Sequence, residues 1–354
     1  MKILFSVIHP AHVHLFRNAI KILKERGHEI KVTSVDKEIT AYLLNAYGIE
    51  HDSLGVYRKS FIGKAFETLR IEKNLYKISR KFKVEILIGA PGNIYVAHVA
   101  KLLNKPSIIF DDSEPTKIHR LLVDPFATVI CTPSCFKKDL GKKQVRYNGY
   151  HELAYLHPNH FKPDSEVLNE LKLSKDDKFI ILRFVAWSAT HDIGQKGFDS
   201  ESKIKLVKEL EKYAKVFITS ESKLDENLEK YKISISPEKI HDVLYYAKLF
   251  IGDGATMINE ASILGTPSIH ISSFAETMGY LIEVEREYKL MYSFKNPDDG
   301  KNKAFELLKT PDIKHEWAKK RENLLNEKID VTKFMVNFIE NYPESFYEYE
   351  KFKI

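Results

Sequence analysis

Nowhere in this sequence does an apolar run approach the roughly 20 residues needed to cross a bilayer as a helix, so no transmembrane helix is expected. Cysteine is almost absent. Cys131 and Cys135 are the only two, too few for a zinc site or a disulfide framework, and they read as reduced thiols. No small-residue cleavage site follows the run Lys2 to Ile8, so no signal peptide is expected and a cytoplasmic location is. Glycine is missing where a dinucleotide fold would need it. The loop IHPAHVH after the first strand-like run has no G-x-G-x-x-G turn to let backbone approach a pyrophosphate, which argues against an NAD-dependent dehydrogenase. Solenoid-length repeats and low-complexity tracts are lacking too.

What is present is ordinary globular composition with uneven charge. At 354 residues, 44% hydrophobic and 29% charged, the chain suits two domains better than one. Residues 1–150 carry 25 Lys+Arg against 14 Asp+Glu, and the remainder 30 against 35. The basic first half suits an anionic surface or acceptor, including peripheral contact with a membrane face. Nucleic acid is not expected, because the basic residues are scattered and no binding motif accompanies them.

Short apolar runs alternate with amphipathic ones, the pattern of parallel sheets wrapped by helices. Strands are predicted at 2–8, 29–35, 85–90, 106–112 and 128–133, and again at 178–185, 215–220, 248–254 and 266–272. Helical spacing of Leu15, Ala19, Ile22 and Leu23 ends at Gly27, and 93–104 is a second clear helix. In the second half, helices are expected near 201–214, 237–247 and 256–264, with Ser236–Pro237 as a capped start. The aromatic, proline-bearing stretch 147–164 reads as the crossing between halves. The predicted division is 1–155, 156–330 and a helical tail 331–354 able to pack back on the first domain. The expected fold class is α/β, two Rossmann-like domains facing each other across a cleft.

Ligands of open parallel sheets bind beyond the carboxyl ends of the strands. Five loops qualify. The first holds His9, His12 and His14, imidazoles suited to proton transfer near neutral pH. No carboxylate or cysteine stands beside them, so a metal is not expected. The second, GAPGN (89–93), leads into a helix whose first amides can hold a polar group. In the third, FDDSEP (110–115), crowded carboxylates make Asp111 and Glu114 candidates for acid/base work. The fourth, 183–198, carries Arg183, Trp187, His191, Asp192 and Lys196. Its cations can neutralise a diphosphate. The fifth, IGDGATMINEASILGTPSI (251–269), places Thr256 at a helix N-terminus for a phosphate. Glu260 lies one turn on, where it can accept ribose hydroxyls.

The segment PEKIHDVLYYAKLFIGDGATMINEASILGTPSI resembles the donor-binding half of GT-B glycosyltransferases and of the sugar-nucleotide 2-epimerases that share their fold. That pattern falls on Gly252, Gly254, Thr256, Glu260, Ala261, Gly265 and Pro267. The whole chain looks like a member of domain-of-unknown-function family 354. The resemblance rests on HPAHVHLF, the G-x-P-G loop, the D-x-E strand end, the R-F-x-x-W/x-A loop and Gly149, Tyr150, Glu152, Tyr155 and Leu156. It covers most of residues 1–275. It implies a nucleoside-diphosphate sugar, UDP-linked, as substrate, with no bound cofactor or metal. Gly252, Gly254, Thr256 and Glu260, with Arg183, His191 and Lys196, would hold this donor. His12, His14, Asp111 or Glu114 would take a proton from a glycan or lipid-linked acceptor.

The alternatives are a sugar-nucleotide 2-epimerase and a non-catalytic nucleotide-sugar-binding protein. Two departures count. The peptidoglycan N-acetylglucosaminyltransferase opens with a Gly-rich, histidine-bearing loop. The 2-epimerases carry His-Arg-x-x-Asn where this chain has His191-Asp192-Ile193-Gly194.

Overall fold

The structure, a computed structural model, describes residues 1–37, 39–56, 61–114, 117–184, 200–220, 224–272 and 277–351. The chain forms two compact units, one of residues 1–160 with 328–354 and one of 161–327.

Among the described residues of the first unit, seven parallel strands run in the order β3-β2-β1-β4-β5-β6-β7. They are β1 (Lys2–Val7), β2 (Glu29–Asp36), β3 (Asp52–Val56), β4 (Ile86–Gly89), β5 (Ser107–Phe110), β6 (Val129–Pro133) and β7 (Gln144–Tyr147). β4, β5 and β6 are buried from end to end, as strands covered by helices on both faces must be, and so they read as unbroken apolar runs. The helix Pro10–Glu25 follows β1. Val13, Leu15, Phe16, Ala19 and Leu23 give it a buried stripe at helical spacing.

The 328–354 segment completes this unit. Val331, Met335, Val336 and Ile339 of the helix Val331–Glu340 are buried, and the helix packs on Pro10–Glu25 and Leu153–Leu156. Asp330 caps it by accepting the Lys333 N–H at 3.0 Å and also takes His160 at 2.8 Å and Asn159 at 2.9 Å. One carboxylate thus ties the 157–160 stretch to the start of the returning helix.

The second unit holds five parallel strands, ordered β12-β11-β10-β8-β9: β8 (Phe179–Phe184), β9 (Lys215–Ser220), β10 (Leu249–Gly252), β11 (Ser268–Ile271) and β12 (Met291–Phe294). Trp317 of the helix Ile313–Glu327 is buried and donates its indole N–H to the Leu290 carbonyl at 2.8 Å.

The alternation of strand and helix is as expected, with three strands more than the sequence pattern reveals. β3, β7 and β12 are only four or five residues long, sit at sheet edges and mix buried with half-exposed positions, so they lack an apolar run. One expected cap is also corrected. Ser236 precedes a short 3-10 turn, Pro237–Lys239, and its hydroxyl makes no capping bond.

Strand order locates the ligand-binding edges. In the first sheet, β1 is followed outward by β2 on one side, and the chain then returns to place β4 on its other side. In the second sheet, β9 and β10 flank β8 in the same manner. Such switch points open a crevice at the carboxyl ends of the two strands.

Candidate functional site

At the second unit's switch point the exits of β8 and β10 are Arg183 and Gly252, which stand directly opposite each other in the ladder. The same row continues through Thr219 of β9, His270 of β11 and Ser293 of β12. Glycine is needed at 252. A β-carbon there would lie 2.9 Å from the Phe250 ring and 3.1 Å from the Arg183 β-carbon. Gly252→Ala is expected to lower stability by about 1–2 kcal/mol through overpacking. Urea unfolding checks this, and an unchanged midpoint would mean the neighbours yield freely.

Beyond Gly252 the chain turns through Asp253 and Gly254 into the helix Ala255–Ile263. Gly254 is the N-cap residue, no side chain caps the helix, and no acidic residue lies in its first turn. No side chain therefore caps the first-turn amides, and the positive end of the helix dipole suits an anion there, with Asp253 one residue before the cap. Thr256 is half-buried in that first turn.

Glu260, one turn further, is buried at 3% exposure and accepts a hydrogen bond from His241 Nε2 at 3.0 Å. His241, on the helix Ile240–Tyr246, is itself only 1% exposed. Any ribose contact therefore shares this carboxylate with His241. The sequence signal for His241 was its place in the PEKIHD stretch, which periodicity alone reads as an ordinary helical position. His191 and Lys196, with Trp187 and Asp192, lie outside the described residues.

Next along the row, His270 is buried, and desolvation lowers its pKa to about 4, with only the Asp253 backbone opposing. It is a neutral imidazole at physiological pH.

In the first unit, the three histidines of the β1 exit separate into distinct environments. His9 caps its helix, its Nδ1 accepting the Ala11 N–H at 3.2 Å. His12 and His14, two residues apart on a helix, point to opposite sides. His14 packs against Tyr155 with 5.4 Å between ring centroids, and its Nδ1 lies 3.3 Å from the Tyr47 hydroxyl. His12 faces the His9 ring and accepts the Ile8 N–H on Nδ1 at 3.4 Å. Burial first, and then the nearby His9, His151 and Lys37, push its pKa well below the usual histidine value.

The carboxylates after β5 also part company. Asp111 accepts the Ser113 N–H at 2.9 Å and pairs with Arg120 at 3.1 Å. Burial outweighs Arg120 and that N–H, raising its pKa to about 6. Glu114 is buried and accepts the Lys137 N–H at 2.8 Å, anchoring the segment after β6. The carboxylate between them, Asp112, reaches the histidines. Its Oδ2 lies 3.1 Å from Nδ1 of His151. Burial favours the protonated acid, but the charge that His151 carries once protonated, with the hydrogen bonds from His151 and Ser113, overcomes it and holds the Asp112 pKa below its ordinary value. An ionised carboxylate only accepts, so a neutral His151 carries its one ring proton on Nδ1.

Residue type and spacing single out neither Asp112 nor His151. Their partnership spans 39 positions, and the only hints were the doubled Asp in FDDSEP and the His inside GYHELAYL. On the Gly89–Asn93 loop, buried Asn93 caps the helix Ile94–Leu103 and donates to the Ser6 carbonyl at 2.9 Å, fastening this loop to β1. Among the described residues, no three His, Cys, Asp or Glu are grouped to hold a metal ion. No helix among them is long and apolar enough to cross a membrane.

Two parallel α/β domains, each with a switch point in its sheet, define a GT-B-type fold, the fold of glycosyltransferases and of UDP-N-acetylglucosamine 2-epimerases. The chain belongs to the DUF354 family, described as proteins of unknown function, whose model matches residues 1–344.

In sequence the chain is similar to a transferase of Clostridium botulinum. That protein is the UDP-N-acetylglucosamine–N-acetylmuramyl-(pentapeptide) pyrophosphoryl-undecaprenol N-acetylglucosamine transferase. Identity is 29% over 266 residues, covering 70% of this chain and 72% of the relative. In fold it is similar to the Neisseria meningitidis UDP-GlcNAc 2-epimerase bound to UDP-GlcNAc. There the TM-score is 0.64 at 13% identity, covering 96% and 99% of the two chains. It is likewise similar to the spinosyn forosaminyltransferase SpnP, with TM-score 0.64 at 12% identity, covering 98% and 99%. These relatives and neighbours are enzymes.

Proposed function

We propose that the protein is a glycosyltransferase that moves a sugar from a UDP-linked donor to a glycan or lipid-linked acceptor. The observation that carries the proposal is the second unit's switch point. Arg183 stands there beside Gly252 in the ladder, before a helix whose N-terminus has no side-chain cap and whose first turn holds no acidic residue, with the buried Glu260 one turn along from Thr256. The helix amides near Thr256 and the Arg183 guanidinium would bind the diphosphate, with Lys196 and His191 as further donor contacts. Glu260 would take the ribose.

As the bond to the anomeric carbon breaks, charge builds on the departing diphosphate and oxocarbenium character on the sugar. Fixed positive groups at the leaving oxygens lower that barrier most. With this charge supplied by a guanidinium and a helix dipole, the proposal needs no metal and no cofactor. The excess of Lys and Arg in residues 1–150 favours an anionic acceptor, such as a lipid-linked pyrophosphate at a membrane surface. Support for transfer also comes from the named activity of the C. botulinum relative.

A second reading, 2-epimerisation, draws on Asp111. A buried carboxyl with a pKa near 6 can both remove and return a proton at neutral pH. Incubation with UDP-N-acetylglucosamine, with and without a lipid-pyrophosphate glycan acceptor, separates the two. UDP release that requires acceptor is expected. N-acetylmannosamine formed without acceptor would establish epimerisation instead, and tight UDP binding with no turnover in either arm would leave a binding protein.

A further inference from the structure

The transferase reading leaves open which group accepts the acceptor's proton. Four candidates of the first unit are committed elsewhere. Asp111 is paired with Arg120, and Glu114 accepts the Lys137 N–H. His14 packs on Tyr155 beside the Tyr47 hydroxyl. His12 accepts the Ile8 N–H on Nδ1. A neutral imidazole with Nδ1 accepting must carry its proton on Nε2, so His12 presents a donor there and not a base.

His151 is the reverse case. Its Nδ1 proton is bound by Asp112 at 3.1 Å, so the Nε2 lone pair is left as an acceptor. That nitrogen is buried and has no hydrogen-bond partner among the described residues. A buried polar atom without a partner is costly, and native proteins keep few without a use for them. The ring lies parallel to Tyr147, 10° between planes with centroids 6.5 Å apart, so its orientation is held from one face by the phenol and from one edge by the carboxylate.

We propose that His151 is a catalytic base of this protein and that Asp112 is its positioning residue. The inference rests on the transferase reading. In the step, the acceptor hydroxyl gives its proton to His151 Nε2. The oxygen's freed electron pair forms the new bond to the anomeric carbon, and the pair of the old glycosyl–phosphate bond departs with the diphosphate oxygen. His151 becomes an imidazolium, and the Asp112 carboxylate at Nδ1 stabilises its charge. The groups facing His151 are Asp112 and Asp111 after β5, His12 of the first helix and Tyr147 of β7, with Arg120 on the far side of Asp111.

The test pairs activity with a binding readout that needs no turnover. Full-length wild type, His151→Gln and Asp112→Asn are compared for UDP affinity by calorimetry and for acceptor-dependent UDP release from UDP-N-acetylglucosamine, with the lipid-pyrophosphate glycan acceptor present, across pH 5–9. All three are expected to bind UDP within about twofold. Turnover should fall by about 100-fold or more in His151→Gln, the usual worth of a positioned base, and the acid limb of the rate profile should vanish. Asp112→Asn should lose turnover with KM unchanged. Wild-type turnover in His151→Gln would overturn the assignment, whereas a wild type that binds UDP and releases none with acceptor present would remove the transferase reading. Absence of UDP binding in the wild type would also remove the transferase reading.

Imidazole 15N spectra of the wild type decide the assignment independently of any donor. The Nδ1–H tautomer of His151 is expected, converting toward Nε2–H in Asp112→Asn. A wild-type His151 protonated on Nε2 would have no lone pair to accept a proton there, and the proposal would fall.

Discussion

Glu260→Gln is expected to bind UDP about 10- to 100-fold more weakly than the wild type, the cost of replacing a charged hydrogen-bond acceptor by a neutral one. Glutamine is the informative substitution because Glu260 is buried and already accepts from His241 Nε2 at 3.0 Å. An amide oxygen keeps that bond and fills the same volume, so the melting temperature of the free protein should hardly move. Glu260→Ala would strand a buried imidazole at a cost of about 1–3 kcal/mol, and its loss of binding could then reflect unfolding. Calorimetric titration with UDP, alongside a melt of the free variant, reads both quantities. Wild-type affinity in Glu260→Gln would remove the ribose from this carboxylate and with it the proposed donor pose.

A second large effect concerns acid. The His270 pKa is lowered to about 4 by burial, against an ordinary histidine value near 6.5. Because the folded value is the depressed one, its contribution to stability is complete above pH 6.5 and is lost as pH falls toward 4. Protons then bind the unfolded chain first. A gap of that size amounts to about 3 kcal/mol. Asp111 works in the opposite sense. Its folded pKa, near 6, lies above the ordinary carboxyl value, so acid between pH 6 and 4 favours the folded state there. The wild-type curve therefore mixes the two. The stability difference between wild type and His270→Gln, from urea unfolding at pH 7, 6, 5 and 4, isolates the histidine. That difference should shift by about 3 kcal/mol in the variant's favour on going to pH 4. Parallel pH dependence in the two proteins would show that His270 is hydrated or already charged when folded.

The second unit's edge was legible because its chemistry is local. Gly252, Gly254, Thr256 and Glu260 all lie within nine consecutive residues, and one strand–turn–helix unit sets their relative positions. The first unit's edge was only half legible. The loops after β1 and β5 could be named from strand periodicity. Within them, however, the residue types that drew attention, Asp111, Glu114 and His14, turn out to hold Arg120, the Lys137 N–H and the Tyr155 ring. Asp112 and His151 meet only after β5, β6 and β7 have been laid side by side. No local pattern encodes that meeting.

By itself, the sequence determined the α/β class, the strand–helix alternation and the resemblance to nucleotide-sugar proteins. Periodicity and turn chemistry act over fewer than 20 residues and survive any arrangement of the elements. Strand order was decided by the tertiary structure, and with it the two switch points. The same is true of the return of Val331–Glu340 to the first unit and of the partners of each buried carboxylate and imidazole. Those depend on which elements lie side by side, and a buried charge takes its pKa and its role from the atoms it meets there.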